Sequence, residues 1–272
     1  MELKQIYALS FSPVGSTRAA VCTAAEHLSQ VLGLPWSERP FTLPEDRNTA
    51  QCFTSRDLVL VGSPTYAGGL PNKILPDFRS RLRGAGTPAV ALVTFGNRAF
   101  DNSLAQLGAV LSQNGFLPVA GAALVCRHVF SGTLAAGRPD EQDRQQLLRF
   151  LDAAAKKLRA GGPLQPPAFP GSADAPYYVP LGLDGAPARF LKAVPVTDPA
   201  ACLGCGLCAR HCPMSAIDPA DPARITGTCI KCHSCVRRCP AGAKGFDDPA
   251  FLSHAAMLEQ TYSRPAANAF FL

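Results

Sequence analysis

Four short and nearly unbroken apolar runs stand out in the first half of the chain: Ile6–Leu9, Asp57–Gly62, Pro88–Phe95 and Pro118–Val125. Runs of this length without polar alternation are what strands look like when both faces of a parallel sheet are covered. Around them the apolar positions change to helical spacing, first at Val21, Ala24, Ala25, Leu28, Val31 and Leu32, then in a short stretch beginning near Pro71 or Asn72. Two further helices are predicted from Leu104, Leu107, Gly108 and Leu111, and from Leu147, Phe150, Leu151, Ala154 and Leu158. Strands alternating with helices predict a doubly wound α/β sheet over residues 1–160, with Phe41–Leu43 a candidate for one more strand.

That periodicity then stops. Residues 161–195 hold eight prolines and five glycines, which opposes helix and predicts an extended connector. Tyr177–Val179 and Ala188–Lys192 nevertheless carry enough apolar surface to pack on a domain. Residues 196–246 are rich in cysteine, and residues 247–272 regain apolar positions such as Phe251, Met257, Leu258 and Phe270, which predicts a docking tail.

The cysteines change the picture most. Cys202, Cys205, Cys208 and Cys212-Pro213 recur as Cys229, Cys232, Cys235 and Cys239-Pro240, the same Cys-x-x-Cys-x-x-Cys-x-x-x-Cys-Pro run twice. Thiolates are the soft ligands that iron–sulfur clusters require, and in this bacterial run the fourth cysteine ligates the other cluster. One [4Fe-4S] cluster is therefore expected on Cys202, Cys205, Cys208 and Cys239, and a second on Cys229, Cys232, Cys235 and Cys212. Zinc also takes Cys-x-x-Cys pairs, but it leaves the extra cysteine and the proline after it unexplained in both halves. His211 and His233 lie between ligands and are expected on the solvent side or behind the thiolates; Cys22, Cys52 and Cys126 are expected to behave as small hydrophobes.

In a doubly wound sheet, ligands bind beyond the carboxyl ends of the strands. Three loops fall there, Ser12–Thr17, Ser63–Pro71 and Thr94–Asn102. The first is small, polar and opens a helix, where free N–H groups and the helix dipole favour a phosphate, but it lacks the lysine of a nucleoside triphosphate P-loop. The second carries Tyr66 among glycines, and the third carries Phe95 and Phe100 around Gly96-Asn97-Arg98. A phosphate cradle with two aromatic loops suits a flat, monophosphorylated ring system. His128, just after the last strand, reads as a hydrogen-bonding edge histidine, with a proton donor or substrate contact as the alternative.

Residues 1–160 resemble the flavodoxins, which implies the strand order 2-1-3-4-5 and FMN as cofactor. The Thr/Ser-x-Thr-Gly-Asn-Thr phosphate loop of that family is matched by Ser12, Pro13, Val14, Gly15, Ser16 and Thr17, with Val14 and Ser16 departing from it. By the same resemblance Pro64, Thr65, Tyr66, Ala67 and Gly68 lie against one flavin face. Thr94, Phe95, Gly96, Asn97 and Phe100 lie against the other, Phe100 supplying the second ring. Residues 196–246 resemble the small α+β ferredoxins with two [4Fe-4S] clusters, and the whole chain resembles the flavodoxin/ferredoxin fusion proteins.

Composition removes other classes. With 47% hydrophobic residues among 272, the chain can bury a core and is not disordered throughout. Its net charge of +6 is not gathered into a basic stripe, so nucleic acid is not an expected partner. No apolar stretch reaches the length of a membrane helix and the first residues lack the layout of a secretory signal, so a cytoplasmic location without a membrane partner is expected. Clusters pass one electron at a time and FMN takes one or two. The expected function is an electron-transfer oxidoreductase that moves low-potential electrons between an external redox protein, two clusters and FMN, with a small-molecule acceptor at the flavin. A substrate-free electron carrier and a non-enzymatic redox or iron–sulfur sensing module are the alternatives, and no catalytic residue or oligomeric state follows from the sequence.

Overall fold

The computed structural model describes residues 2–160 and 162–272. Five parallel strands, β1 (Gln5–Ser10), β2 (Trp36–Pro40), β3 (Asp57–Pro64), β4 (Thr87–Phe95) and β5 (Phe116–Val125), lie in the order β2-β1-β3-β4-β5. This is the flavodoxin-like order, 2-1-3-4-5. The central strands bury nearly every side chain, as unbroken apolar runs should. The second strand falls at Trp36–Pro40 instead of Phe41–Leu43, because an edge strand alternates half-buried and exposed positions and shows no apolar run. Phe41, next along the chain, is fully buried in the core.

Helices α1 (Ser16–Leu32), α2 (Leu75–Arg81), α3 (Ser103–Gln113) and α4 (Glu141–Arg159) alternate with these strands. α1 and α4 cover one face, burying Val21, Leu28 and Leu151 with Ile6, Leu58 and Leu92. α2 and α3 cover the other, where Phe78, Leu104 and Leu107 join Leu9, Val61 and Val93. Each such side chain contributes about 1.5–3 kcal/mol by leaving water.

The connector is extended yet packed. A Cβ on Gly108 or Gly121 would stand 2.6 or 2.4 Å from the Phe169 ring, so that ring seats on α3 and β5 only because both carry glycine there. Further on, the Tyr177 hydroxyl donates to the Leu70 carbonyl at 2.7 Å and the Tyr178 N–H to the Ala67 carbonyl at 2.8 Å. These bonds hold the connector across the carboxyl ends of the sheet.

In the ferredoxin-type part β6 (Val196–Thr197) pairs antiparallel with β7 (Lys244–Gly245), and α5 (Leu207–Arg210) and α6 (Ser234–Arg237) are one-turn helices. Ser234 Oγ donates to the Pro13 carbonyl at 3.0 Å, and Arg47 Nη2 to the Pro213 carbonyl at 2.8 Å. Arg237 Nη2 reaches the Ser131 carbonyl at 3.1 Å. The cysteine-rich unit is thereby fastened over the strand ends. The tail forms α7 (Pro249–Thr261) and β8 (Ala269–Phe271), and β8 extends the sheet antiparallel to β5 with Ala269 opposite Ala123. Asn268 clamps this junction, accepting from the Val125 N–H and donating to Asp143 and Gln146. Among the described residues no helix is long and apolar enough to cross a membrane.

Candidate functional site

Two small cavities lie inside the ferredoxin-type part. One is lined by Cys202, Cys205, Cys208 and Cys239, and the other by Cys212, Cys229, Cys232 and Cys235. Each takes three cysteines from one repeat and its fourth from the other. Local geometry repeats as well: the N–H of Ala216 points at Cys212 Sγ and that of Ala243 at Cys239 Sγ, both at 3.2 Å. Such N–H donors suit an electron-rich thiolate sulfur. Burial pushes the thiols of Cys229, Cys232 and Cys235 up, Cys235 to about 12, so a thiolate at these positions needs a cation beside it. Convergent sulfurs of this kind fit iron–sulfur clusters.

His233 is not on the solvent side. It is buried, stacks on Phe246 with centroids 4.8 Å apart, tilts against Phe130 at 5.0 Å, and leaves Nε2 without a partner. Burial holds its pKa down at about 3. It occupies the left-handed backbone position (φ 59°) that Gly206 (φ 68°) takes in the first repeat. That conformation costs a non-glycine residue about 1–2 kcal/mol, which the aromatic stack offsets. His211 is partly exposed.

A third cavity, of about 600 Å³, opens at the carboxyl ends of β1, β3 and β4. Its size falls in the range of cofactor sites, roughly 300–1,000 Å³. Every residue expected in the flavin loops lines it except Gly15, Asn97 and Phe100. The Gly15 N–H is turned to the Ser12 carbonyl. Asn97 holds the tail, donating to the Tyr262 and Arg264 carbonyls at 2.6 and 2.9 Å and accepting from the Ala266 N–H. The Phe100 ring packs on Phe95 and on Phe271 of β8, so the extra strand takes up the aromatic group expected on the second flavin face. His128 stands against that loop instead, its Cδ2 only 2.2 Å from where a Cβ on Gly96 would be.

Hydroxyl pairs tie the three loops together: Thr17 with Thr94 and Thr65 with Ser103, each at 2.7 Å. α1 begins at Ser16, beside the cavity; its Arg18 N–H donates to Ser12 Oγ and its Ala19 N–H to the Gly15 carbonyl, both at 2.9 Å, which leaves the N–H groups of Ser16 and Thr17 without a partner among the described residues. The lining carries Lys73, Arg98, Arg127 and Lys231 and no carboxylate. Arg98 is paired with Asp101 and lies 4.1 Å over the Tyr178 ring.

Several walls of this cavity were not predicted. The connector supplies Tyr177, Tyr178 and Phe190, α7 supplies His254 and Leu258, and the second cysteine loop supplies Thr228 to Lys231. A signal did exist for α7, since Phe251, His254 and Leu258 recur at helical spacing. Cys229 and Ile230 line both this cavity and the second cysteine cavity. Tyr66 lies close to the same place: burial raises its phenol pKa, and the nearby Cys232 and Cys229 raise it further.

A flavodoxin-like α/β domain is thus joined to a ferredoxin-type domain. Residues 194–240 match the family model of a 4Fe-4S dicluster domain. No curated protein matches the chain. Similar solved structures include a flavodoxin from the domain Archaea, 14% identical over 58% of this chain and 99% of that one with a TM-score of 0.39. Oxidised flavodoxin 2 from Bacillus cereus is 17% identical over 57% and 99%, with a TM-score of 0.42. The apo form of an NADH:FMN oxidoreductase is 19% identical over 56% and 88%, with a TM-score of 0.39.

Proposed function

We propose that the chain is an electron-transfer iron–sulfur flavoprotein. Cys202, Cys205, Cys208 and Cys239 hold one [4Fe-4S] cluster, Cys229, Cys232, Cys235 and Cys212 hold a second, and FMN occupies the large cavity. The FMN phosphate sits at the Ser12–Thr17 loop, on the N–H groups of Ser16 and Thr17, and the flavin ring lies between Tyr66 and the Gly96 loop. A cavity with four cations and no carboxylate supports an anionic cofactor. The observation that carries the reading is the shared wall: Cys229 and Ile230 line both the second cysteine cavity and the large one, which supports a short path between cluster and flavin.

Electrons enter from an external redox protein, pass through the clusters and reach the flavin. The connector and α7 stand over the cavity, with Phe190 and His254 in its wall. This enclosure favours a small acceptor over direct docking of a protein on the flavin. Anaerobic purification followed by iron, sulfide and flavin analysis tests the assignment. About eight irons and one FMN per chain, with the flavin and cluster absorption bleached together by dithionite, are expected. Zinc in place of iron, or a chain that takes up no flavin, contradicts it.

A further inference from the structure

Two imidazoles in the wall of the large cavity have no part in the electron path. His128 follows β5, His254 lies on α7, and each ring is fixed through Nδ1. The Phe130 N–H donates to His128 Nδ1 at 3.1 Å, so that nitrogen is the acceptor and the proton of the neutral ring sits on Nε2. His254 Nδ1 lies 2.8 Å from the Leu181 carbonyl, which only accepts, so Nδ1 carries the proton and Nε2 keeps its lone pair.

Packing fixes both rings further. His128 abuts Gly96 and meets the Phe130 ring edge-on at 5.1 Å, while His254 stacks on Phe190 at 5.3 Å and 27°. His254 is only 5% exposed, yet its Nε2, like that of His128, has no hydrogen-bond partner among the described residues and is not fully buried, and both residues line the cavity. Burial, then His254 and Arg98, hold His128 down at about 4, and burial lowers His254 as well, so both rings are neutral at neutral pH. Rigid rings with unused polar atoms in a cavity wall are arranged for a ligand.

We propose that His128 and His254 form a donor–acceptor pair that grips a carbonyl group with an adjacent N–H or O–H. His128 Nε2–H donates to the oxygen, and His254 Nε2 accepts from the neighbouring group. Amides, imides and undissociated carboxylic acids present that edge, whereas carboxylates lack its donor half. Two sources share this chemistry: the pyrimidine edge of the flavin, and a small amide- or acid-bearing acceptor beside it. The inference rests on the reading of the large cavity as the flavin site.

A long-range proton–nitrogen correlation spectrum of the loaded, nitrogen-15-labelled chain at pH 7 reads the tautomers directly. Opposite tautomers are expected, His128 protonated on Nε2 and His254 on Nδ1; the same tautomer in both rings, or a charged ring, overturns the pair. FMN affinity is then measured by flavin fluorescence, and benzamide and benzoate are titrated into the FMN-loaded chain by flavin absorption, for the parent and for His128→Phe and His254→Phe. Losing one such hydrogen bond weakens binding about fivefold to tenfold. If the flavin edge is the ligand, FMN itself weakens by that factor. If the small acceptor is the ligand, FMN holds within twofold while benzamide weakens by that factor, and benzoate binds the parent more weakly than benzamide. FMN unchanged together with benzamide unchanged or unbound overturns the proposal. A chain that takes up no FMN defeats the reading of the cavity alone, and the tautomers still test the pair.

Discussion

One hydroxyl ties the second cysteine loop to the predicted phosphate loop. Ser234 is 1% exposed, and its Oγ lies 3.0 Å from both the Pro13 and His211 carbonyls, so a single proton serves two acceptors, of which the Pro13 carbonyl is buried. Ser234→Ala removes that donor without adding volume, and a buried acceptor left without a partner costs about 1–3 kcal/mol. The melting temperature should fall by about 2–4 °C for each kcal/mol lost. Pro13 belongs to the loop proposed to receive the phosphate, so part of the loss should appear as loops no longer poised for FMN. Apparent affinity then drops in proportion to the poised fraction. For 1–2 kcal/mol the FMN dissociation constant rises about fivefold to thirtyfold. The recovery of flavin fluorescence on dissociation measures it, with iron content confirming that the clusters persist. Full iron content with an FMN dissociation constant within twofold of the parent would refute the coupling.

Cys239→Ala should remove the cluster on Cys202, Cys205 and Cys208 and leave the one on the second repeat, halving the iron; loss of the second-repeat cluster in that variant, seen in the spin-resonance spectrum after reduction, refutes the crossed assignment. Cys212→Ala should do the converse and also weaken FMN, because the Cys229 loop borders the large cavity proposed to hold it. His128 is held near 4 against an ordinary 6.5, so between those values the unfolded chain binds a proton that the folded chain does not. Its contribution, up to about 3 kcal/mol, is complete above about pH 6.5 and is lost as pH falls toward 4. Urea denaturation at both ends of that window should show a smaller difference for His128→Asn, with His254 still contributing in the same direction; an unchanged difference counts against the assignment. Phe169→Ala should cost about 2–4 kcal/mol by emptying the seat between Gly108 and Gly121, read as a fall in melting temperature, and no fall would mean that the connector is not held there.

The sheet and both cysteine cavities were legible because their signals are local. Strands covered on both faces must be apolar throughout, and cluster ligands must follow a fixed spacing along the chain. What escaped the sequence depends on contacts between distant residues. Trp36–Pro40 lies at a sheet edge and has no apolar run to announce it. β8 is three residues long and becomes a strand only because the edge of β5 is there to pair with it. Its arrival draws Phe100 onto Phe271 and away from the cavity, which no reading of the Gly96 loop alone would show. The same holds for Phe169, whose seat is defined by glycines on two other elements. His254 and Lys231 face the cavity only because the connector and the iron–sulfur part fold back over the strand ends.

The central claim is that electrons cross from cluster to flavin within one chain. It is tested most directly by reducing the clusters rapidly with a photogenerated one-electron donor and following flavin and cluster absorption over a tenfold range of protein concentration. Flavin reduction should coincide with cluster reoxidation, as a first-order phase whose rate does not change with concentration. A rate that rises in proportion to protein concentration, or flavin reduced with no cluster phase before it, would contradict the internal path.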